Sequence, residues 1–158
     1  MKKIMFLCHG NICRSPMAEF VMKELVSKSG KAIEVDSAAV SDEEWGNPIY
    51  PPAKRKLIEH NIPLGEHAAH KITPSEFEQY DLILLMDQSN IRWLTRIVGE
   101  DKVNNSGKVY KLMAFASQEG WPSKPLVAPD VADPWYTGDF EVTYKDVFKA
   151  CQKLIDIL

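Results

Sequence analysis

Short, largely apolar runs at residues 4–7, 33–35, 82–86 and 109–113 alternate along the chain with longer stretches whose apolar residues return every three or four positions. Runs of the first kind predict short buried strands, and those of the second predict amphipathic helices, here at 16–28, 52–61, 74–79, 89–98 and 140–158. The last helix is the clearest. Phe140, Tyr144, Val147, Phe148, Cys151, Leu154, Ile155 and Leu158 fall on one stripe, which makes Cys151 a core residue rather than a reactive one. Strands alternating with helices predict an α/β fold, a four-stranded parallel sheet with helices on both faces. A length of 158 residues suits one domain spanning 1–158. In open parallel sheets ligands bind at the carboxyl ends of the strands, and Cys8 stands at the end of the first.

Charge and cysteine content narrow the partners. Lys and Arg number 19 against 22 Asp and Glu, a net charge of −3, and no basic stretch stands out, so neither nucleic acid nor an anionic membrane surface is expected. Met1-Lys2-Lys3 and the few apolar residues behind them are too short for an export signal or a membrane span, which predicts a cytoplasmic protein. Three cysteines, an odd count, argue for reduced thiols instead of a disulfide framework. No metal or other cofactor is expected, because a zinc site wants about four ligands at closed spacing and no second Cys or His pair supplies them.

Candidate chemistry concentrates in Cys8-His9-Gly10-Asn11-Ile12-Cys13-Arg14-Ser15-Pro16, a short Gly-containing loop between a strand and a helix. Such a loop curls around an anion with several backbone N–H groups pointing inward, and the helix start adds its positive dipole end. The phosphate cradle so formed puts Cys8 in a positive field that favours its nucleophilic thiolate. Arg14 is the natural clamp, since its planar fork grips two phosphoryl oxygens at once. Ser15 and Pro16 read as N-cap and first helical residue, and the Ser15 hydroxyl is also within reach of the Cys8 sulfur. Asn11 suits a left-handed position inside the loop. His9 is expected at the pocket mouth. Cys13 is expected close enough to Cys8 to form a disulfide that rescues an oxidised nucleophile.

The run from Cys8 to Pro16 resembles the signature loop of the low-molecular-weight protein tyrosine phosphatases, and Asp133-Pro134-Trp135-Tyr136 resembles that family's general-acid loop. The likeness covers nearly the whole chain, through Val35-Asp36-Ser37-Ala38-Ala39, Gly46-Asn47-Pro48, the region from Ile62-Pro63 to His67, Met86-Asp87-Gln88-Ser89-Asn90 and the C-terminal helix. The resemblance implies metal-independent hydrolysis of phosphotyrosine proteins or small aryl phosphates through a cysteinyl phosphate. In that reading Cys8 is nucleophile, Arg14 clamp, and Asp133 acid and then base, with His9, Gly10, Asn11, Ile12, Cys13 and Ser15 forming the cradle. The family also ties its loop Asn to a Ser and a His. Ser37 and His67 match, but the segment is one residue longer than the family pattern and His70 lies three residues on, so either His is a candidate. Trp45, Trp135 and Tyr136 are expected to wall an aryl pocket. Asp130 reads as a solvated turn residue.

Three neighbouring activities are weighed against this. An arsenate reductase on the same fold relays disulfides through cysteines near the third strand, and residues 82–93 contain none. A protein arginine phosphatase carries Thr where this chain has Ile12, and a Thr hydroxyl suits a polar guanidinium better than a ring. A phosphocarrier module holding phosphate on Cys needs neither Arg14 nor Asp133.

Overall fold

In the computed structural model, which describes residues 2–158, β1 (Lys2–Cys8) lies between β2 (Ile33–Ala39) and β3 (Leu82–Leu85), and β4 (Val109–Lys111) pairs with β3. All three pairings are parallel, with Cys8 opposite Ala39 and Leu7 opposite both Ala38 and Leu85. Met1, part of the N-terminal run weighed above, lies outside the described residues. The expected four-stranded parallel α/β sheet is therefore present. Among the described residues no helix is long and apolar enough to cross a membrane.

Among the described residues eight helices connect and cover the strands: α1 (Arg14–Ser29), α2 (Pro51–Glu59), α3 (Pro74–Gln79), α4 (Gln88–Val98), α5 (Glu100–Asn105), α6 (Ala114–Ser117), α7 (Pro134–Thr137) and α8 (Phe140–Ile157). Because alternate strand residues face opposite sides, β1 serves two cores. Ile4, Phe6 and Cys8 join Met17 and Phe20 of α1 and Val147 and Leu154 of α8, whereas Met5 and Leu7 join Phe77 of α3, Leu94 of α4 and Val103 of α5. Ile4, Met5, Phe6 and Leu7 are fully buried, and each such side chain contributes about 2 kcal/mol. That makes β1 a stiff post for Cys8 at its end. The chain leaves β1 toward β2 on one side, with β3 on the other, so the crevice where the strand order divides opens at Cys8.

The boundaries follow local chemistry. The Thr73 hydroxyl accepts from Glu76 N and the Glu76 carboxylate accepts from Thr73 N, a capping box that fixes the start of α3 where the sequence predicts it. The periodicity predicts a helix over 52–61, but α2 stops at Glu59, where Asn61 takes a left-handed φ of 57°. Three short helices, α5, α6 and α7, escape periodicity because at four to six residues each they bury at most two side chains. One correction bears on the site. Ser15 is not an N-cap: α1 begins at Arg14 with Cys13 at the cap, which leaves Pro16 as the third helical residue, where its missing N–H costs nothing.

Candidate active site

Ser15 is drawn into the helix because its hydroxyl is needed elsewhere. Its Oγ lies 3.0 Å from Cys8 Sγ and accepts from Asn11 Nδ2 at 2.8 Å. The Cys8 sulfur also accepts the backbone N–H groups of Asn11 at 3.3 Å and Ser15 at 3.4 Å. One hydroxyl and two backbone N–H groups thus converge on a single sulfur.

The loop takes its shape from Asn11, which is fully buried at φ 61°, the left-handed region that Asn tolerates. Its side chain braces both sides of the loop, with Nδ2 donating to Ser15 Oγ and at 3.0 Å to Ser37 Oγ, while Oδ1 accepts from His70 N at 3.3 Å. The two histidines present different atoms to the loop. His67 Nε2 lies 2.6 Å from Asn11 O, and since a carbonyl only accepts, the proton sits on that nitrogen. The His70 ring turns away to Glu76 at 2.9 Å and contributes only its backbone. Behind Ser37 stands a residue that the sequence reading missed. Glu19, 6 % exposed on α1, accepts from Ser37 Oγ at 2.5 Å and from Lys23 Nζ at 2.5 Å, so a buried carboxylate terminates the network.

Arg14 is 2 % exposed and gathers the acidic groups. Nη1 donates to Asp87 Oδ2 at 2.7 Å and to Val131 O at 3.0 Å, and Nη2 donates to Asp133 Oδ2 at 3.3 Å. Burial opposes its charge, but Cys8, Asp133 and Asp87 outweigh that and hold the guanidinium above its ordinary range. Asp87 was not singled out from the sequence. Its signal was an acidic residue directly after a strand, at the same sheet end as Cys8. It does two jobs, since Oδ1 caps α4 through Asn90 N at 2.8 Å while Oδ2 holds Arg14. Asp133 likewise caps α7, its Oδ1 accepting from Trp135 N at 3.1 Å.

A cavity of about 200 Å³ is lined by Cys8, His9, Gly10, Ile12, Cys13, Arg14, Asp133, Trp135 and Tyr136, with Glu43 and Glu44 on the remaining side. His9 stands at its edge, Nε2 3.1 Å from Glu43 and the ring edge-on to Trp93 at 5.1 Å. A Cβ at Gly10 would come within 3.2 Å of Glu44 Cγ, a close approach that glycine avoids. Burial, and after it the nearby charges of Cys8 and Asp133, pushes the Cys13 thiol up to about 12, so it stays protonated at neutral pH. Trp135 and Tyr136 form an aromatic rim, Trp135 leaning on Tyr50 at 4.9 Å. Trp45 does not join them. It is 64 % exposed and edge-on to His70, because the turn through Gly46, at φ 83°, carries Glu43 and Glu44 to the cavity and throws the indole outward. Among the described residues no group of three or more His, Cys, Asp or Glu side chains is gathered as a metal site.

Comparison with known proteins finds relatives along nearly the whole chain. The family model described as low molecular weight phosphotyrosine protein phosphatase matches residues 3–158. The human low molecular weight phosphotyrosine protein phosphatase is 36 % identical over 159 residues, covering 98 % of this chain and 94 % of the human one. Among solved structures, the low molecular weight protein tyrosine phosphatase SP-PTP of Streptococcus pyogenes is 38 % identical with a TM-score of 0.80, covering 100 % of this chain and 93 % of its own. YfkJ of Bacillus subtilis is 30 % identical with a TM-score of 0.85, covering 99 % and 93 %.

Proposed function

We propose that this chain, which belongs to the low molecular weight phosphotyrosine protein phosphatase family and is a protein-tyrosine phosphatase, works through a covalent cysteinyl phosphate. The observation that carries the reading is the Arg14 fork. Its helix begins where the loop ends, its Nη2 touches Asp133 from 119 residues away, and both line the cavity into which Cys8 opens. Nucleophile, clamp and acid thus meet in one place.

An entering phosphate dianion takes the loop N–H groups and the Arg14 fork as its partners. It draws the guanidinium off Asp133, which leaves that carboxyl to face the departing oxygen. Cys8 Sγ attacks phosphorus. As the S–P bond forms, the P–O bond to the phenol breaks and Asp133 gives its proton to the departing oxygen. In the second step water attacks phosphorus, its proton passes to the Asp133 carboxylate, and the thiolate leaves, eased by Ser15 Oγ and the two backbone donors on sulfur. Asn11, Ser37, His67 and Glu19 hold the loop in shape without touching the substrate.

Ile12, Trp135 and Tyr136 present apolar and aromatic surface to the substrate, which supports phosphotyrosine and aryl phosphates over a polar phosphoguanidine. Three free cysteines fit a reducing cytoplasm.

The test is rapid-quench kinetics with para-nitrophenyl phosphate. A burst of phenol stoichiometric with enzyme, phosphate trapped on Cys8 and sustained turnover afterwards are expected. Release of phenol with no trapped phosphoenzyme would refute the covalent route, and a burst without turnover would mean a carrier. Wild-type preference for phosphoarginine over phosphotyrosine peptides would overturn the substrate reading.

A further inference from the structure

The segment 128–133, which delivers Asp133 to the cavity, is held at nearly every residue by a group from elsewhere in the fold. Val131 N donates to Met86 O at 2.8 Å, Val131 O accepts from Arg14, and Ala132 O accepts from Thr143 Oγ1 of α8 at 3.0 Å. The first strap is the unusual one. Lys111, the last residue of β4, is 2 % exposed, and its Nζ donates to Ala128 O at 2.7 Å and to Asp130 Oδ1 at 2.5 Å. Asp130 Oδ1 accepts at the same time from Gln88 N at 3.1 Å, at the start of α4 and next to the Asp87 that grips Arg14. Asp130 is thus an anchor, not the solvated turn residue its sequence context suggests.

An ammonium buried this far demands partners, and its carboxylate is itself half exposed, so the pairing is asymmetric. The cation cannot leave. The segment must come to it. An ammonium has three donors and no acceptor, so a carbonyl and a carboxylate are the handles the segment can offer it. We propose that the Lys111–Asp130 pair is a positioning device for the general acid, fixing the path of the segment so that Asp133 meets the leaving oxygen. Lys111 touches no reacting atom and works only through Asp133. The inference therefore rests on the acid role assigned to Asp133 above.

The experiment compares kcat/KM for phenyl phosphate, a poor leaving group, with that for dinitrophenyl phosphate, a good one, in Lys111→Met, Asp133→Asn and the double variant. Lys111→Met is expected to lose about tenfold on phenyl phosphate and less than about twofold on dinitrophenyl phosphate, with inhibition by inorganic phosphate unchanged. In the Asp133→Asn background, the same substitution should cost less than about twofold on either ester, because there is no acid left to misplace. Equal loss on both esters, or a full second loss in the double variant, overturns the proposal and makes Lys111 a packing residue. Should Lys111→Met fail to fold, Asp130→Asn removes the same ion pair and is held to the same criteria. Uniform loss in Asp133→Asn alone is a different signature. It rejects Asp133 as the acid, and the positioning role falls with it.

Discussion

The phosphate loop and the acid segment face each other across one cavity but are built in opposite ways. Between Cys8 and Ser15 the fold needs eight consecutive residues to bring a sulfur, its hydrogen-bond donors and a guanidinium together. The segment from Ala128 to Asp133 owes its place to Lys111, Gln88, Met86, Thr143 and Arg14, none of them nearer than 11 residues in sequence to the group it holds. A continuous loop is set first by its own turns and one stiff strand, with Ser37, His67 and His70 bracing Asn11 from outside. A strapped segment is set by tertiary contacts, each of which can be loosened alone. Substitutions in the first should therefore act on all substrates alike, and substitutions in the second should act according to how much each substrate needs the acid.

Cys8→Ser gives the largest effect and tests the first half of that contrast. Turnover should fall by on the order of 10⁵ or more on every ester, because the nucleophile itself is gone, while phosphate binding measured by calorimetry survives on the backbone donors and Arg14. Measurable turnover in this variant, or loss of phosphate binding, would break the picture of a self-contained cradle. Asp133→Asn tests the second half. Its kcat/KM should fall by about 10² to 10⁴ for poor leaving groups and much less for good ones. A flat loss across a series of phenols would show that the segment's position matters for something other than proton delivery.

That contrast also explains what could be read from the sequence. The four parallel strands, five of the helices and the placing of Cys8 and Arg14 in one loop at the end of β1 are legible because apolar periodicity and contiguous residues encode them. Asp133 was legible only through its resemblance to a family motif, since nothing in Val131-Ala132-Asp133 announces that Arg14 will meet it. Asp130 and Lys111 were not legible at all, for their meaning lies in a pairing across 19 residues and in the burial of an ammonium within a strand. Trp45 misled because an aromatic in a loop beside a cavity suggests a wall, whereas the turn at Gly46 decides which side chain faces in. Ser15 misled for a related reason. Its preference for an N-cap is worth about 1 kcal/mol, and the hydrogen bonds to Asn11 and the Cys8 sulfur outweigh it.

A smaller, sharper test separates backbone from network inside the loop. Asn11→Gly keeps the left-handed φ available while deleting the bonds to Ser15, Ser37 and His70, and Asn11→Ala deletes the same bonds and adds the cost of a left-handed alanine. Ala should be less stable than Gly by about 1 kcal/mol, seen as a lower midpoint in urea unfolding. Both should lose activity on good and poor leaving groups in equal proportion. A leaving-group dependence in either would mean that the two halves of the site are coupled after all.

Cys13→Ser should have the smallest effect on turnover and the largest on recovery from damage. The Cys13 thiol is pushed up to about 12, first by burial and next by the charge on Cys8, so at neutral pH it is inert while the nucleophile is intact. Iodoacetamide should accordingly label Cys8 first, and phosphate should protect it. Peroxide converts the Cys8 thiolate to a sulfenic acid with release of hydroxide, which removes the charge that had opposed ionisation of Cys13. Cys13 becomes easier to deprotonate only once its neighbour is oxidised. Its thiolate can then attack the sulfenic sulfur, expelling hydroxide and closing a Cys8–Cys13 disulfide that dithiothreitol reopens. Wild-type protein should regain activity after brief peroxide and dithiothreitol, with the rate of closure rising toward alkaline pH as the thiol ionises. Cys13→Ser should be inactivated as fast but recover poorly, as the sulfenic acid proceeds to irreversible sulfinic acid. Equal recovery in both proteins, or closure whose rate ignores pH, would remove Cys13 from that role and leave it a filler in the loop.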